Sequence, residues 1–491
     1  MSTESKWPSV AIIAADVQSG KITATELVKQ ALQTIEDKKE YQAVIATTAD
    51  RALERAKEID EQIASGSNVG KLAGVPFIAK DNFLVFGSET TAASNILKGF
   101  DAPYQSTAIE KLESEGAICV AKANLDAFGH GGSTENSDFF TTKNPHDTER
   151  VPGGSSGGSA VAVVLDMVPF ALGTDTGGSS RQPASFSGCV GYKPTYGLIS
   201  RSGVIAMASS TDTIGTLART VEDVAYVVDV MAGRDPLDST TIDRDEQSYQ
   251  VSNAASLKGK KVGVIKEYMG EGVDPGVKQA IEASLEVLKK AGAEIVPVSL
   301  PSLEYSLGVY YIVVPAEISS NLSRYDGQRY GYSDADANNL DTSYTSSRTT
   351  GFGAEAKRRI MTGAYVLSSG YYDAYYNKAQ TVRTKLIQEF NAVLEDVDFL
   401  AGPTAPTTAF KIGQNTNDPL QMYLADVMTV GASLVGIPAL VVPAGKAAGL
   451  PVGLQLMTKQ KADRMLLSFG AAAQSAISKE ISSKQSKEIE T

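Results

Sequence analysis

Histidine is nearly missing from this chain. Only His130 and His146 occur among 491 residues, so a Ser/His/Asp triad would depend on one of two side chains, both in a loop-like region rich in Gly, Ser, Thr and Asn. Cysteine is equally scarce. Cys119 and Cys189 each sit in an apolar run, which fits buried thiols in a reducing compartment better than a disulfide framework. Neither shows the Cys/His signature of a thiol nucleophile, and two histidines with two scattered cysteines make no metal-ligand spacing. No metal or cofactor is expected in this chain. Basic charge is in deficit, with 45 Lys and Arg against 57 Asp and Glu for a net charge of −12, the reverse of a nucleic-acid binder's footprint. Any RNA would be held by another subunit. Long apolar runs are lacking too. Residues 160–173 are interrupted by Asp166 and Pro169, and 434–445 by Gly436, Pro438 and Pro443, so neither stretch can span a bilayer. The first 20 residues have no basic stretch ahead of a long apolar one and do not read as a secretory leader. A cytoplasmic protein without membrane contact is expected.

Against these gaps stands an ordinary globular composition, 42% hydrophobic and 21% charged, with ample chain for a large core. Thr23-Ala24-Thr25-Glu26 is a capping-box pattern, and Leu27, Val28, Ala31, Leu32 and Ile35 follow at helical spacing. A second helix covers residues 50–64. Beyond Gly70, β-type runs at 74–79 and 117–121 flank a helical segment over 106–115, an order that suggests parallel pairing. A helix opens at Thr220 and ends near Gly233, and 261–265, 275–291 and 293–298 repeat the strand-helix-strand pattern. The polar stretch 325–352 reads as a long surface excursion. Helices are expected over 354–390, 419–435 and 463–478, followed by a frayed, charged tail over 481–491. With no repeat and no convincing linker, the chain reads as one α/β domain over 1–491. Its parts are an N-terminal helical segment (1–70), a core carrying the chemistry (71–220) and a remainder with substrate-binding segments (221–480).

The chemistry concentrates in 151–183. Two glycine-flanked serine clusters stand there, Gly153-Gly154-Ser155-Ser156-Gly157-Gly158-Ser159 and Gly177-Gly178-Ser179-Ser180. Gly153 and Gly158 have the spacing of a P-loop, but Ser159 stands where that loop needs lysine. A serine nucleophile needs a base, and scarce histidine leaves lysine. Lysine serves only when neutral, a form that burial favours. Lys80 follows the apolar run 75–79 at the C-terminal end of a predicted strand, where open α/β sheets gather their sites. The ordinary fate of such a residue is a surface pair with the adjacent Asp81.

Residues 74–82 (GVPFIAKDN), 152–159 (PGGSSGGS) and 173–179 (GTDTGGS) together resemble the motifs of the amidase signature family, in the family's order. The resemblance implies an α/β fold with a mixed, twisted β-sheet, helices on both faces and the site at its edge. Ser179 would be the nucleophile on a carboxamide, Ser155 a bridging serine after a cis peptide at Gly154-Ser155, and Lys80 the base. Backbone N–H groups of Thr176, Gly177, Gly178 and Ser179 would form the oxyanion hole, with Asp175 and Arg181 bracing the loop and Ser156, Ser159 and Ser180 as structural neighbours.

Outside these motifs, 310–311, 316–327, 355–361 and 368–376 resemble the A-subunit branch of the amidotransferases acting on glutamyl-tRNA(Gln) and aspartyl-tRNA(Asn). That likeness implies glutamine hydrolysis, with Arg359 on the substrate carboxylate and Asp426 on its ammonium. Ammonia would pass to partners: a B-type kinase/transamidase subunit that uses ATP and Mg on the misacylated tRNA, and a small C-type subunit. A free-standing amidase on another carboxamide and a catalytically idle scaffold are the alternatives. Ala127, Gly129 and His130 stand where the family usually has Glu, Ala and Met, Ser180 replaces an aliphatic residue, and Ala444 a cysteine.

Overall fold

Eleven short runs of apolar and β-branched residues pair into a single sheet in the computed structural model, which describes residues 6–251 and 255–489. They are β1 (Val44–Thr47), β2 (Pro76–Lys80), β3 (Ile118–Ala123), β4 (Phe170–Asp175), β5 (Val190–Lys193), β6 (Thr213–Ala218), β7 (Lys261–Ile265), β8 (Glu294–Val298), β9 (Phe399–Pro403), β10 (Ala439–Ala447) and β11 (Leu450–Met457). Their spatial order is β1-β3-β2-β4-β6-β5-β10-β11-β9-β7-β8. Both strand-helix-strand runs seen in the sequence give parallel pairs, β2 with β3 and β7 with β8. The strands β2/β4 and β7/β9 are parallel too. Between β4 and β9 every pairing is antiparallel, so the sheet is mixed.

Successive side chains of a strand point to opposite faces. Every residue of β2, β3, β4, β5, β6, β9 and β11 is buried, so both faces of the sheet are covered. Helices Gly157–Val164 and Arg181–Ser187 pack on each other and on the sheet, while Val221–Met231, Pro275–Lys290 and Asp463–Ile489 form another group against it. Phe77 and Phe170, partners across β2 and β4, stack at 5.2 Å, worth roughly 0.5–1.5 kcal/mol beyond their burial. Among the described residues no helix is long and apolar enough to cross a membrane.

Several local expectations change. The capping box at Thr23 and Glu26 opens helix Ala24–Asp37 as read, but the excursion at 325–352 ends in helix Leu340–Gly351, capped by Asn339. Docking supplies what its polar sequence lacks, since Gly351 lies against Ile96. The run 354–390 is broken into Ala354–Val366 and Lys378–Asp396, with a π-helical turn Tyr372–Asn377 between them. Similarly, 419–435 splits into Pro419–Leu424 and Val430–Val435 around the turn holding Asp426. The last helix runs Asp463–Ile489, so the tail expected to fray continues it. Residues 1–5 of the leader reading and 490–491 of the tail lie outside the described residues.

Candidate active site

Three parallel neighbours deliver the site. Lys80 is the last residue of β2 and Asp175 of β4, and Asp126 follows β3 by three residues. The site thus occupies the carboxyl edge of interior strands, and the outermost strands contribute none of these residues. Lys80 is fully buried and donates to Ser155 Oγ at 2.7 Å, Ser156 Oγ at 2.9 Å and Thr174 Oγ1 at 3.0 Å. The ordinary pairing with Asp81 is not made. That carboxylate is buried and binds Lys122 Nζ at 2.6 Å. Burial pulls the Lys80 pKa down to about 7, against the opposing pull of the Asp126, Asp175 and Asp212 carboxylates. The neutral amine is therefore within reach at ordinary pH.

The peptide Gly154-Ser155 is cis. Ser156 is more than a neighbour, because it takes a hydrogen bond from the lysine and its amide donates to the Ser179 carbonyl at 3.0 Å, joining the two serine clusters. The Asp126 carboxylate accepts the N–H groups of Ser133, Thr134 and Asn136, and its own N–H donates to the Ser155 carbonyl at 3.3 Å. Sequence reasoning missed it. An Asp ahead of a Gly-Gly-Ser-Thr turn was the available signal. Ser179 is 8% exposed, and its hydroxyl makes no hydrogen bond among the described residues. The Lys80 to Ser155 link is thus formed, while no hydrogen bond joins the Ser155 and Ser179 hydroxyls. Links of this kind commonly close when substrate binds.

The backbone N–H groups of Thr176, Gly177, Gly178 and Ser179 meet no acceptor among the described residues. Four adjacent free donors beside a serine hydroxyl make an anion-binding turn. Gly178 holds φ +142°, and a Cβ there would collide with Thr429 Oγ1; at Gly177 it would stand 2.6 Å from the Tyr310 ring. The loop is braced below by Arg181, which forks onto Asp175 at 2.9 and 2.8 Å and also reaches the Thr429 carbonyl, Gln455 and Ser433.

Arg359 on helix Ala354–Val366 is buried, its Nε on Glu355 at 2.8 Å and its guanidinium 5.3 Å from the Tyr311 ring centre and 5.6 Å from that of Tyr423. Those two rings stack at 3.8 Å, and the Tyr423 hydroxyl donates to Glu355. They line a cavity of about 320 Å³ with Gly132. An added Cβ at Gly132 would stand 3.4 Å from Asp426 Oδ1, and Thr429 links the Asp426 turn to the Gly177 carbonyl at 2.6 Å. Asp426, Arg359 and the Ser179 loop are thereby brought together from three distant segments. Burial pushes the Asp426 pKa up to about 8, with Arg359 opposing. A cation lining this cavity, with a carboxyl group behind its Gly132 wall and the Ser179 loop tied to the same turn, is an arrangement suited to a zwitterion. Tyr310, Tyr311, Glu355 and Tyr423 lie in or beside segments that carry the resemblance, but no role at the site was expected of them, and Thr429 carries no motif that would have marked it in advance.

The remaining candidates lie apart. His146 meets the Ser187 carbonyl at 2.8 Å, by a cleft of about 470 Å³ that holds none of the residues above. Cys119 and Cys189 are free, and burial pushes both thiols up to about 12. Ser180 Oγ is buried without a partner, wedged against Gly173 and Gly215. Among the described residues no group of three or more His, Cys, Asp or Glu is arranged to hold a metal ion.

Residues 26–467 match the family model described as Amidase. The chain belongs to the amidase family. Within it, the glutamyl-tRNA(Gln) amidotransferase A-subunit of Geobacillus kaustophilus is 51% identical over 440 residues, 89% of this chain and 91% of that protein. The protein of the same name from Thermoanaerobacter pseudethanolicus is 49% identical over 457 residues, 93% of each. Among solved structures, the A-subunit of the Thermotoga maritima glutamyl-tRNA(Gln) amidotransferase aligns with a TM-score of 0.76 at 40% identity, covering 91% of each chain. A bacterial aryl acylamidase of the amidase signature family gives a TM-score of 0.84 at 25% identity over 96% of each.

Proposed function

We propose that this amidase is the glutaminase subunit of a tRNA-dependent amidotransferase. The observation that carries the reading is the pairing of Arg359 and Asp426 beside Ser179. The α-carbon of free glutamine bears a carboxylate and an ammonium, which a guanidinium and a carboxylate match, whereas a simple amide needs neither. Its relatives named as the A-subunits of such enzymes support the same reading.

In this mechanism neutral Lys80 takes the Ser155 proton as Ser155 takes that of Ser179. Ser179 Oγ adds to the γ-carboxamide carbon, and the oxyanion meets the N–H groups of residues 176–179, each worth about 2.7–4 kcal/mol to the transition state. The proton returns through Ser155 to the leaving nitrogen, the C–N bond breaks, ammonia departs and a γ-glutamyl ester remains on Ser179. Water, deprotonated by the same relay, cleaves the ester to glutamate. Ammonia passes to a B-type kinase/transamidase partner, which activates Glu-tRNA(Gln), or Asp-tRNA(Asn), with ATP and Mg, and a small C-type subunit completes the complex. A net charge of −12 suits a cytoplasmic chain that leaves RNA and ATP to that partner.

The test compares ammonia release from glutamine with release from aliphatic and aryl amides, with and without the partner subunits. Strong preference for glutamine is expected, and replacing Ser179 by Ala should abolish it. Comparable rates on simple amides by the isolated chain would instead identify a free-standing amidase, and unchanged glutamine turnover in Ser179→Ala would leave the chain an idle scaffold.

A further inference from the structure

Gln182 is fully buried three residues after Ser179, in the first turn of helix Arg181–Ser187. Its side-chain amide joins two separate segments. Oε1 accepts the Gly154 N–H at 2.9 Å, and Nε2 donates to the Gly132 carbonyl at 2.9 Å. Neither backbone group has another partner among the described residues. The Gln182 N–H itself donates to the Gly178 carbonyl at 2.8 Å. One residue therefore touches the proton relay through Gly154, which precedes Ser155, the pocket through Gly132, and the nucleophile loop through Gly178. Gly132 lines the cavity that holds Arg359, and an added Cβ there would stand 3.4 Å from Asp426 Oδ1 and 3.8 Å from Gln182 Nε2. The fit is close on the relay side too, since a Cβ added at Gly153 would collide with Gln182 Oε1.

An N–H can only donate and a carbonyl only accept, so these partners fix which way the amide faces. A buried amide bonded at both ends holds its partners at one separation, and losing it would leave two buried backbone groups unpaired. Free glutamine must meet two demands at once. Its α-carbon groups reach Arg359 and Asp426 while its carboxamide carbon reaches Ser179. The number of methylenes sets the span between them, and a misplacement of about 1 Å at the reacting carbon costs on the order of 10²-fold. We propose that Gln182 is a positioning residue that sets this span, tying the Gly132 wall of the pocket to the Ser155 and Ser179 loops so that the site favours glutamine over asparagine, the same amide shortened by one methylene. The inference rests on the glutamine reading above.

The test uses the full-length chain with its partner subunits and reads kcat and KM for ammonia release from glutamine and from asparagine. Gln182→Met keeps the length of the side chain and removes both hydrogen bonds. Glutamine kcat/KM is expected to fall roughly tenfold or more while that of asparagine falls less than about threefold, so that the preference narrows. A role in packing alone would lower both amides together. Gln182→Asn, which keeps the amide but cannot span both partners, should narrow the preference likewise. An unchanged glutamine kcat/KM, or an equal loss on both amides, overturns the inference. Where Gln182→Met does not fold, Gln182→Asn decides by the same criterion. Where wild type releases no ammonia from asparagine, its release by either variant supports the inference and its absence from both overturns it. The glutamine reading fails separately, since a wild-type complex that releases no ammonia from glutamine sinks both.

Discussion

At the scale of single residues, two ionisations govern the proposed chemistry. Lys80 works as a base only when neutral, so kcat on glutamine should rise with pH through a midpoint near 7. Free enzyme carries a second limb, because Asp426, pushed up to about 8, must ionise to receive an ammonium. The profile of kcat/KM should therefore show both limbs and that of kcat only the first, and Asp426→Asn should remove the limb near 8. A kcat profile flat from pH 6 to 9 would remove Lys80 from the base role. Stability follows with the opposite consequence for folding. The folded pKa of Lys80 lies below its ordinary 10.5, so the unfolded chain binds more protons between about 7 and 10.5, and the penalty is fully present below that window. The stability of wild type relative to Lys80→Met should grow with pH across it, as read from denaturant midpoints. Arg359→Lys should raise KM for glutamine about tenfold or more at nearly constant kcat, since a lysine cannot fork onto a carboxylate or keep the planar contact of the guanidinium with the stacked Tyr311 and Tyr423 rings. Lys80, Ser155 and Ser179 were legible because short motifs carry them. Ser156, Thr174 and Asp126 were not, because an ordinary Ser, Thr or Asp shows its partners only once the strands are assembled.

At the scale of elements, the 176–179 loop is the part whose shape matters most. Its four N–H groups stay free because Asp175, Arg181 and Thr429 hold the turn from outside. Gly178→Ala should lower kcat on the order of 10²–10³-fold with a smaller change in KM, since a Cβ there strikes Thr429 and the positive φ disfavours any side chain. A normal kcat would mean that these amides do not face the reacting carbonyl. Local signals read well where they were strong, as in the capping box of Ala24–Asp37 and the helical run that forms Pro275–Lys290. They failed where tertiary contact overrides propensity. Helix Ser306–Asn321 contains Pro315, which ordinarily argues against a helix interior, and Leu340–Gly351 is polar throughout much of its length.

At the scale of the molecule, one buried ion pair links distant parts. Arg181 joins the end of β4 to the Thr429 turn, helix Val430–Val435 and Gln455 of β11. Arg181→Met should lower unfolding stability by about 3–5 kcal/mol, because Asp175 is then buried without its counter-ion. Denaturant unfolding with a midpoint equal to wild type would contradict that. The parallel flanks of the sheet were legible as strand-helix-strand runs. The antiparallel centre was not, since it pairs strands as far apart in sequence as β5 and β10. For the same reason Arg359 and Asp426 were assigned by likeness, while their meeting at Ser179 needed the assembled fold. The most direct test of the central claim is mass spectrometry of the complex quenched during glutamine turnover. We expect a γ-glutamyl adduct on the peptide containing Ser179, lost in Ser179→Ala and diminished in Ser155 or Lys80 variants, which remove the relay that forms it. An adduct on a different residue, or steady ammonia release from Ser179→Ala, would contradict the proposed mechanism.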